Sequence, residues 1–182
     1  MSSKDKNTAE LAIPENVSVA KQDQRIVVTG KRGTISKDFH KMPALISLKD
    51  RIITIEPTGS RKKDLAITNT TKSIINNMIK GVQKGFTYKL KIIFAHFPIS
   101  VKIRGREIHV ENFFGERSAR ISSIVGDATK VNVIGDDVVV EGPSLEDVSQ
   151  TAANIESSTR LKGKDQRVFL DGLYIYSRNE GE

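Results

Sequence analysis

The chain has 182 residues, 29 lysines and arginines against 22 aspartates and glutamates, a formal charge of +7 and a sequence pI near 9.6. That balance favours an anionic partner, and the lack of cysteine excludes disulfides, thiolate nucleophiles and thiolate metal sites. No run approaches the ~18 apolar residues of a membrane helix, and Met1-Ser2-Ser3-Lys4-Asp5-Lys6-Asn7 lacks a signal-peptide core, so an intracellular protein without membrane or small-molecule partners is expected.

Residues 1–10 are polar without periodicity and read as a tail. From Leu11 the pattern is short and β-like: Ile26-Val27-Val28, Ile52-Ile53-Thr54-Ile55 and Tyr88 to Phe94 are β-branched or alternating runs, separated by Gly30, Gly33, Pro57-Thr58-Gly59 and Gly85. Between the second and third runs, Ile74, Ile75, Met78, Ile79 and Val82 fall on one helical stripe, with Asn69, Thr70 or Thr71 as the expected cap and Lys84-Gly85 as the stop. Further on, Ile108-His109-Val110, Val131 to Ile134 and Val138-Val139-Val140 read as strands, the last two joined by a turn at Gly135-Asp136-Asp137. Ser144 with Asp147 three residues on opens a helix whose apolar stripe is Leu145, Val148, Ala152 and Ile155. A terminal strand is expected over 168–176, and 178–182 as a frayed tail.

The two halves echo each other. Ile13-Pro14-Glu15-Asn16-Val17-Ser18-Val19 is answered 84 residues later by Phe97-Pro98-Ile99-Ser100-Val101-Lys102-Ile103. Arg25-Ile26-Val27-Val28 with Gly33 is answered by Glu107-Ile108-His109-Val110 with Gly115. A repeat this long is a duplicated domain rather than a solenoid unit. The expected architecture is α+β, with two tandem domains at 11–95 and 96–177, each a mainly antiparallel sheet with one face covered by a helix.

Catalytic or metal chemistry has no foothold in this pattern. His40, His96 and His109 lack the paired spacing of zinc sites, and Gly30-Lys31-Arg32-Gly33 and Gly81 to Gly85 lack the length and Lys-Ser/Thr ending of a P-loop. Asp136-Asp137 reads as turn chemistry and Glu146-Asp147 as helix capping. No catalytic residue, metal or cofactor is assigned, and an enzyme acting on nucleic acid would lack any recognisable acid, base or metal set.

The cations cluster where the backbone turns. Lys31 and Arg32 lie between glycines, Arg61, Lys62 and Lys63 follow Pro57-Thr58-Gly59-Ser60, and Arg160, Lys162, Lys164 and Arg167 surround Gly163. Lys102, Arg104 and Arg106 alternate along a strand into the turn at Gly105 and share one face. Such loops let main chain and long cations both reach phosphates, so all are candidate RNA contacts. Phe113 and Phe114 follow, one expected to face the core and the other free to stack on a base. With few aromatics and no single-strand signature, the chain reads as a binder of folded RNA shape.

Ile13-Pro14-Glu15-Asn16-Val17, Gly33-Thr34, Asn76 to Val82, Tyr88-Lys89, Ala95-His96-Phe97-Pro98-Ile99, Gly163-Lys164-Asp165 and Phe169 to Tyr174 closely resemble the universal large-subunit ribosomal protein family numbered six in bacteria and nine in eukaryotes, in its eukaryotic-type branch. The resemblance covers about residues 11–177. It implies a non-catalytic constituent of the large subunit, bound to ribosomal RNA near the sarcin-ricin loop and stalk base. Neighbouring ribosomal proteins and translational GTPases would lie close by. It also implies a cytoplasmic location with assembly in the nucleolus, and a main RNA anchor in the second domain at Lys162, Gly163, Lys164 and Arg167. The alternative reading is a free RNA-binding regulator or ribosome assembly factor. Bulk charge points the other way, since residues 1–95 hold a net +10 and 96–182 a net −3. Over a Debye length of about 8 Å a local cluster nevertheless acts independently of a distant acidic face.

Overall fold

In the computed structural model, which describes residues 8–165 and 167–180, the chain divides into two units between Lys84 and Gly85. The first is built from β1 (Ala9–Ala12), β2 (Ser18–Gln22), β3 (Arg25–Gly30), β4 (Gly33–Asp38), β5 (Ala44–Lys49), β6 (Ile52–Pro57) and α1 (Lys62–Gln83). Two three-stranded antiparallel sheets form, in the orders β2-β3-β4 and β1-β6-β5. Alternation decides which side is buried: Ile26 and Val28 of one sheet and Ile53 and Ile55 of the other turn inward. They meet Ile75, Met78, Ile79 and Val82, the apolar stripe of α1, in one core with Phe39.

α1 begins at Lys62 rather than near residue 70. The hydroxyls of Thr68, Thr70 and Thr71 donate back to the carbonyls of Asp64, Ala66 and Ile67, at 3.0, 2.9 and 2.9 Å. Residues that resemble a cap are thereby accommodated inside the helix. The start is set instead by Asp64, whose carboxylate accepts the Arg61 N–H at 3.0 Å. Lys62 and Lys63 consequently sit on the first helical turn and not on a loop.

The second unit comprises β7 (Phe86–Ile93), β8 (Ser100–Arg104), β9 (Glu107–Glu111), a short 3-10 turn (Phe113–Gly115), β10 (Arg120–Ser123), β11 (Lys130–Ile134), β12 (Asp137–Gly142), α2 (Leu145–Ser158) and β13 (Gly172–Glu180). Its sheets run β10-β9-β8 and β11-β12-β7-β13, all pairings antiparallel. Leu90, Ile108, Val110, Val138, Val140, Ile155 and Leu173 make the core. The expected turn joins β11 to β12 through Gly135 (φ +59°) and Asp136, and Ser144 caps α2 by accepting the Asp147 N–H.

The α+β duplication holds, but its join falls earlier than 95. The strand expected to close the first domain, β7, pairs with β12 and β13 at the centre of the second unit's larger sheet. Its counterpart is β1, which pairs with β6 as β7 pairs with β12 and whose first two residues, Ala9 and Glu10, fall in the expected tail. β1 is a four-residue edge strand with half its side chains exposed, too short to leave a periodic signal, whereas β7 is paired on both sides and strongly apolar. Moving Lys89 and Lys91 into the second unit lowers the first unit's excess to +8. At the other end the last strand starts at Gly172 and carries Arg178 to Glu180 in register with Tyr88 to Phe86, so those three residues are sheet and not tail. The rest of the two expected tails, 1–7 and 181–182, lies outside the described residues. Residues 168–170 are not strand, because the Val168 and Phe169 N–H groups both donate to the Asp165 carbonyl at 3.1 Å. Among the described residues no helix is long and apolar enough to cross a membrane.

Candidate nucleic-acid interface

The loop between α2 and β13 is tied down at both ends. Thr159 Oγ1 accepts the Leu173 N–H at 3.0 Å and donates to the Glu156 carbonyl, and Glu156 Oε1 accepts the Ile175 N–H at 3.0 Å. Arg120 reaches across from β10. Its Nη1 donates to the carbonyls of Ser158 and Arg160 at 3.0 and 3.2 Å, which are acceptors left over at the end of α2. Its Nε and Nη2 grip Glu116 at 2.9 and 2.7 Å, and the guanidinium lies 4.2 Å from the centroid of the buried Phe113 ring. The Arg120 guanidinium holds the Glu116 carboxyl below the usual glutamate range, against a smaller opposing effect of burial.

Beyond these ties the loop presents its cations. Arg160 and Lys162 are exposed and pair with no carboxylate among the described residues. Gly163 turns the chain at φ +74°, a conformation that favours glycine. Lys164 lies over the rings of Phe114 and Phe169. Arg167 folds back on Asp165, its Nε and Nη2 at 3.2 and 3.1 Å and its backbone N–H at 2.9 Å, which holds the Asp165 carboxyl below its ordinary value. Arg167 thus closes the turn and is partly spent. Phe114, Glu116, Arg120, Arg160, Lys162 and Lys164 line an open cleft of about 510 Å3. With Glu116 neutralised by Arg120, the cleft is left with three cations that no carboxylate among the described residues compensates, the right sign for a phosphate backbone.

The remaining sets differ in how much charge they leave available. Lys102 and Arg104 do share one face of β8, but both bond Glu111, at 2.6 and 3.3 Å. The Lys102 hydrogen bond is the main reason the Glu111 carboxyl is held below its ordinary value. Arg106 pairs with Asp127 at 2.9 Å and donates to the carbonyls of Ile124 and Gly126 at 3.1 and 2.9 Å, pinning that loop. Two carboxylates thus offset two of these three charges. In the first unit Lys31 and Arg32 form the exposed tip of the β3-β4 hairpin, which docks on the end of α1 through the Arg32 N–H to the Val82 carbonyl at 2.9 Å. Arg61, Lys62 and Lys63 crowd the start of α1, where the helix dipole opposes cations and adds to their pull on an anion. All five side chains are exposed without carboxylate partners among the described residues.

Two further residues matter here that no motif marks: Phe169, which falls within the expected 168–176 strand but lies beside Lys164, and Arg120, which ties the loop to β10. Neither role has a local signal, since the Arg120 bond to the Ser158 carbonyl and the Phe169 contact with Phe114 each span more than 35 residues of chain. Phe113 and Phe114 are on a 3-10 turn and not a strand; Phe113 is 1% exposed and so closed to stacking. Among the described residues no three His, Asp or Glu side chains gather as metal ligands would.

Residues 13–85 and 97–172 each match the family model of ribosomal protein L6. The strands that begin the two structural copies, β1 and β7, lie outside both matched segments. The large ribosomal subunit protein uL6 of Staphylothermus marinus is 47% identical over 176 residues, covering 95% of each chain. That of Methanosphaera stadtmanae is 43% identical over 175 residues, 96% of this chain and 95% of the relative, and that of Saccharolobus solfataricus is 44% identical over 170 residues, 93% of each.

Proposed function

Because the chain belongs to the ribosomal protein L6 family, we propose that it is a structural constituent of the large ribosomal subunit that grips ribosomal RNA with the loop following α2. The observation that carries this reading is the cleft in which Arg160, Lys162 and Lys164 stand without carboxylate partners among the described residues, on a loop tied to the fold by Thr159, Glu156 and Arg120. Phosphates brought there displace counterions and meet cations whose backbone is already ordered. Gly163 and Arg167 complete the anchor, the first by bending the chain and the second by closing the turn on Asp165.

Lys31, Arg32, Arg61, Lys62 and Lys63 supply a second basic surface that attracts RNA at longer range. Lys102, Arg104 and Arg106 contribute least, since each already holds a carboxylate. The RNA partner in this reading is the region of the sarcin-ricin loop and stalk base, with other ribosomal proteins and translational GTPases as neighbours. The setting is the cytoplasm, with nucleolar assembly where the cell has a nucleus. No catalytic step is assigned.

Crosslinking within isolated large subunits tests the anchor. Lys162 and Lys164 should crosslink to ribosomal RNA, and the chain should stay with the particle through a moderate salt wash. Crosslinks confined to Lys31, Lys62 and Lys63 would overturn the anchor assignment. Loss of the chain from the particle in the wash would favour a free regulator or assembly factor.

A further inference from the structure

Phe113 and Phe114 are neighbours with opposite fates. Phe113 enters the core, whereas Phe114 turns out toward the loop after α2 on a left-handed backbone (φ +54°, ψ 25°), flanked by Asn112 at φ +59° and Gly115 at φ +72°. Two non-glycine residues in that region within three positions are a strained arrangement of the kind that persists where its surroundings enforce it. Asn112 Nδ2 donates to the Pro98 carbonyl at 3.1 Å, holding the turn in place. The effect is to set the Phe114 ring 5.8 Å from that of Phe169, their planes tilted by 59°. The Lys164 ammonium occupies the notch between them, 4.9 and 5.0 Å from the two centroids. It is nearly equidistant, so both rings hold it through their negative faces.

We propose that Phe114 and Phe169 are positioning residues that hold Lys164 as a preformed phosphate ligand. The proposal rests on the reading of this loop as an RNA interface. A lysine on an exposed loop ordinarily gives up its rotamer freedom when it meets a phosphate, and that loss is charged against binding. Held between two rings beforehand, Lys164 surrenders little. The rings engage the ammonium from one side and accept no conventional hydrogen bond, so its N–H donors remain available to a phosphate oxygen. The position is apt, because Lys164 and Phe114 both line the cleft that also holds Arg160 and Lys162. Phe169 is 39% exposed, more than a ring recruited only for the core would be.

A double-mutant cycle on the full chain, binding large-subunit ribosomal RNA transcribed from the same genome between 50 and 200 mM salt, tests this. Phe169→Leu should weaken binding by about 2- to 10-fold at every salt concentration, the range for ordering one long side chain, with the salt slope unchanged because no charge is lost. Phe169→Tyr, which keeps the ring, should bind as the parent does. Lys164→Gln should lower the slope by about 0.7 to 0.9, one phosphate contact. Once Lys164 is glutamine, Phe169→Leu should have no further effect. If it weakens binding equally in both backgrounds, the ring stacks on a base instead and the positioning role is wrong. If Phe169→Leu is silent while Lys162→Gln weakens binding, the inference falls and the RNA interface stands; if all of these are silent, the interface itself falls. A readout free of mutation is the Lys164 Hε proton shift in the unbound protein, which ring currents should move upfield. Ordinary lysine shifts would overturn the proposal.

Discussion

Replacing Arg120 with methionine removes a side chain that connects β10 to the base of the basic loop. Four interactions go with it: hydrogen bonds to the Ser158 and Arg160 carbonyls, the forked pair with Glu116, and the contact with the Phe113 ring. Hydrogen bonds from a charged donor are worth about 1.5 to 3 kcal/mol each, but the Arg160 carbonyl is on an exposed residue and water recovers part of its loss. The pair with Glu116 adds at most about 1 kcal/mol, since Glu116 is 38% exposed and screened. The ring contact adds ~0.5 to 1 kcal/mol, partly returned by the methionine side chain. A net destabilisation of about 2 to 4 kcal/mol follows. The chain provides its own reporter: it has no tryptophan, and its three tyrosines, Tyr88, Tyr174 and Tyr176, all lie in the second unit. Tyrosine fluorescence during urea unfolding therefore follows that unit alone. With an m-value of about 2 kcal/mol/M, the middle of the range for a small domain, the midpoint should fall by roughly 1 to 2 M. Arg120→Lys, which keeps the charge without the fork, should recover less than half of the loss. A midpoint within about 0.2 M of the parent for Arg120→Met would mean that Arg120 is an ordinary surface cation, and the tie would have to be abandoned.

Glu116 offers a pH test: its pKa is depressed in the folded state, so the stability it contributes is present above the ordinary glutamate value and is lost as pH falls through the folded value. Carboxyl 13C titration should place Glu116 below ordinary glutamates and return it to their range in Arg120→Met; an unshifted Glu116 in the parent would contradict the pair. Arg160→Gln with Lys162→Gln should reduce the salt slope of RNA binding by about 1.4 to 1.8 while leaving the tyrosine-monitored urea midpoint unchanged, and a slope that stays constant would remove both from the interface. In the first unit, Gly30→Ala would bring a Cβ to 2.8 Å from both Cγ2 and the backbone oxygen of Val82, and the oxygen has no room to yield. Amide hydrogen exchange in α1 should show a destabilisation of about 1 to 3 kcal/mol; a difference under ~0.5 kcal/mol would mean the hairpin lifts off α1 freely.

The two basic surfaces divide along lines that charge counts alone obscure. In the first unit the side chains of Lys31, Arg32, Arg61, Lys62 and Lys63 are exposed without carboxylate partners among the described residues, so its excess charge is displayed. In the second unit, Lys102, Arg104, Arg106, Arg120 and Arg167 are each engaged by carboxylates, whereas Arg160, Lys162 and Lys164 line one cleft without such partners among the described residues. A nearly neutral unit can therefore still present a sharply basic cleft, because some of its cations are held by local ion pairs while Arg160, Lys162 and Lys164 are gathered on one loop.

Periodicity and turn chemistry by themselves determined the duplication, the α+β class, the apolar stripes of α1 and α2, the Ser144 cap and the Gly135-Asp136 turn, because each depends on residues within a few positions of one another. The clustering of Arg160, Lys162 and Lys164 about Gly163 was equally legible, and so was the resemblance to the family. Tertiary structure decided what involves partners distant in sequence. β7 belongs to the second copy because β12 and β13 pair with it, and nothing local to residues 86–93 says which side of the join they serve. Whether a cation is left free or meets a carboxylate depends in part on where Glu111 and Asp127 are carried by β9 and the loop after β10. Lys164 meets Phe114 and Phe169 only because a left-handed turn at one end of the unit is folded against a loop some 50 residues later. Local pattern records what the backbone does, and the availability of a charge is set by neighbours that only the folded chain brings near.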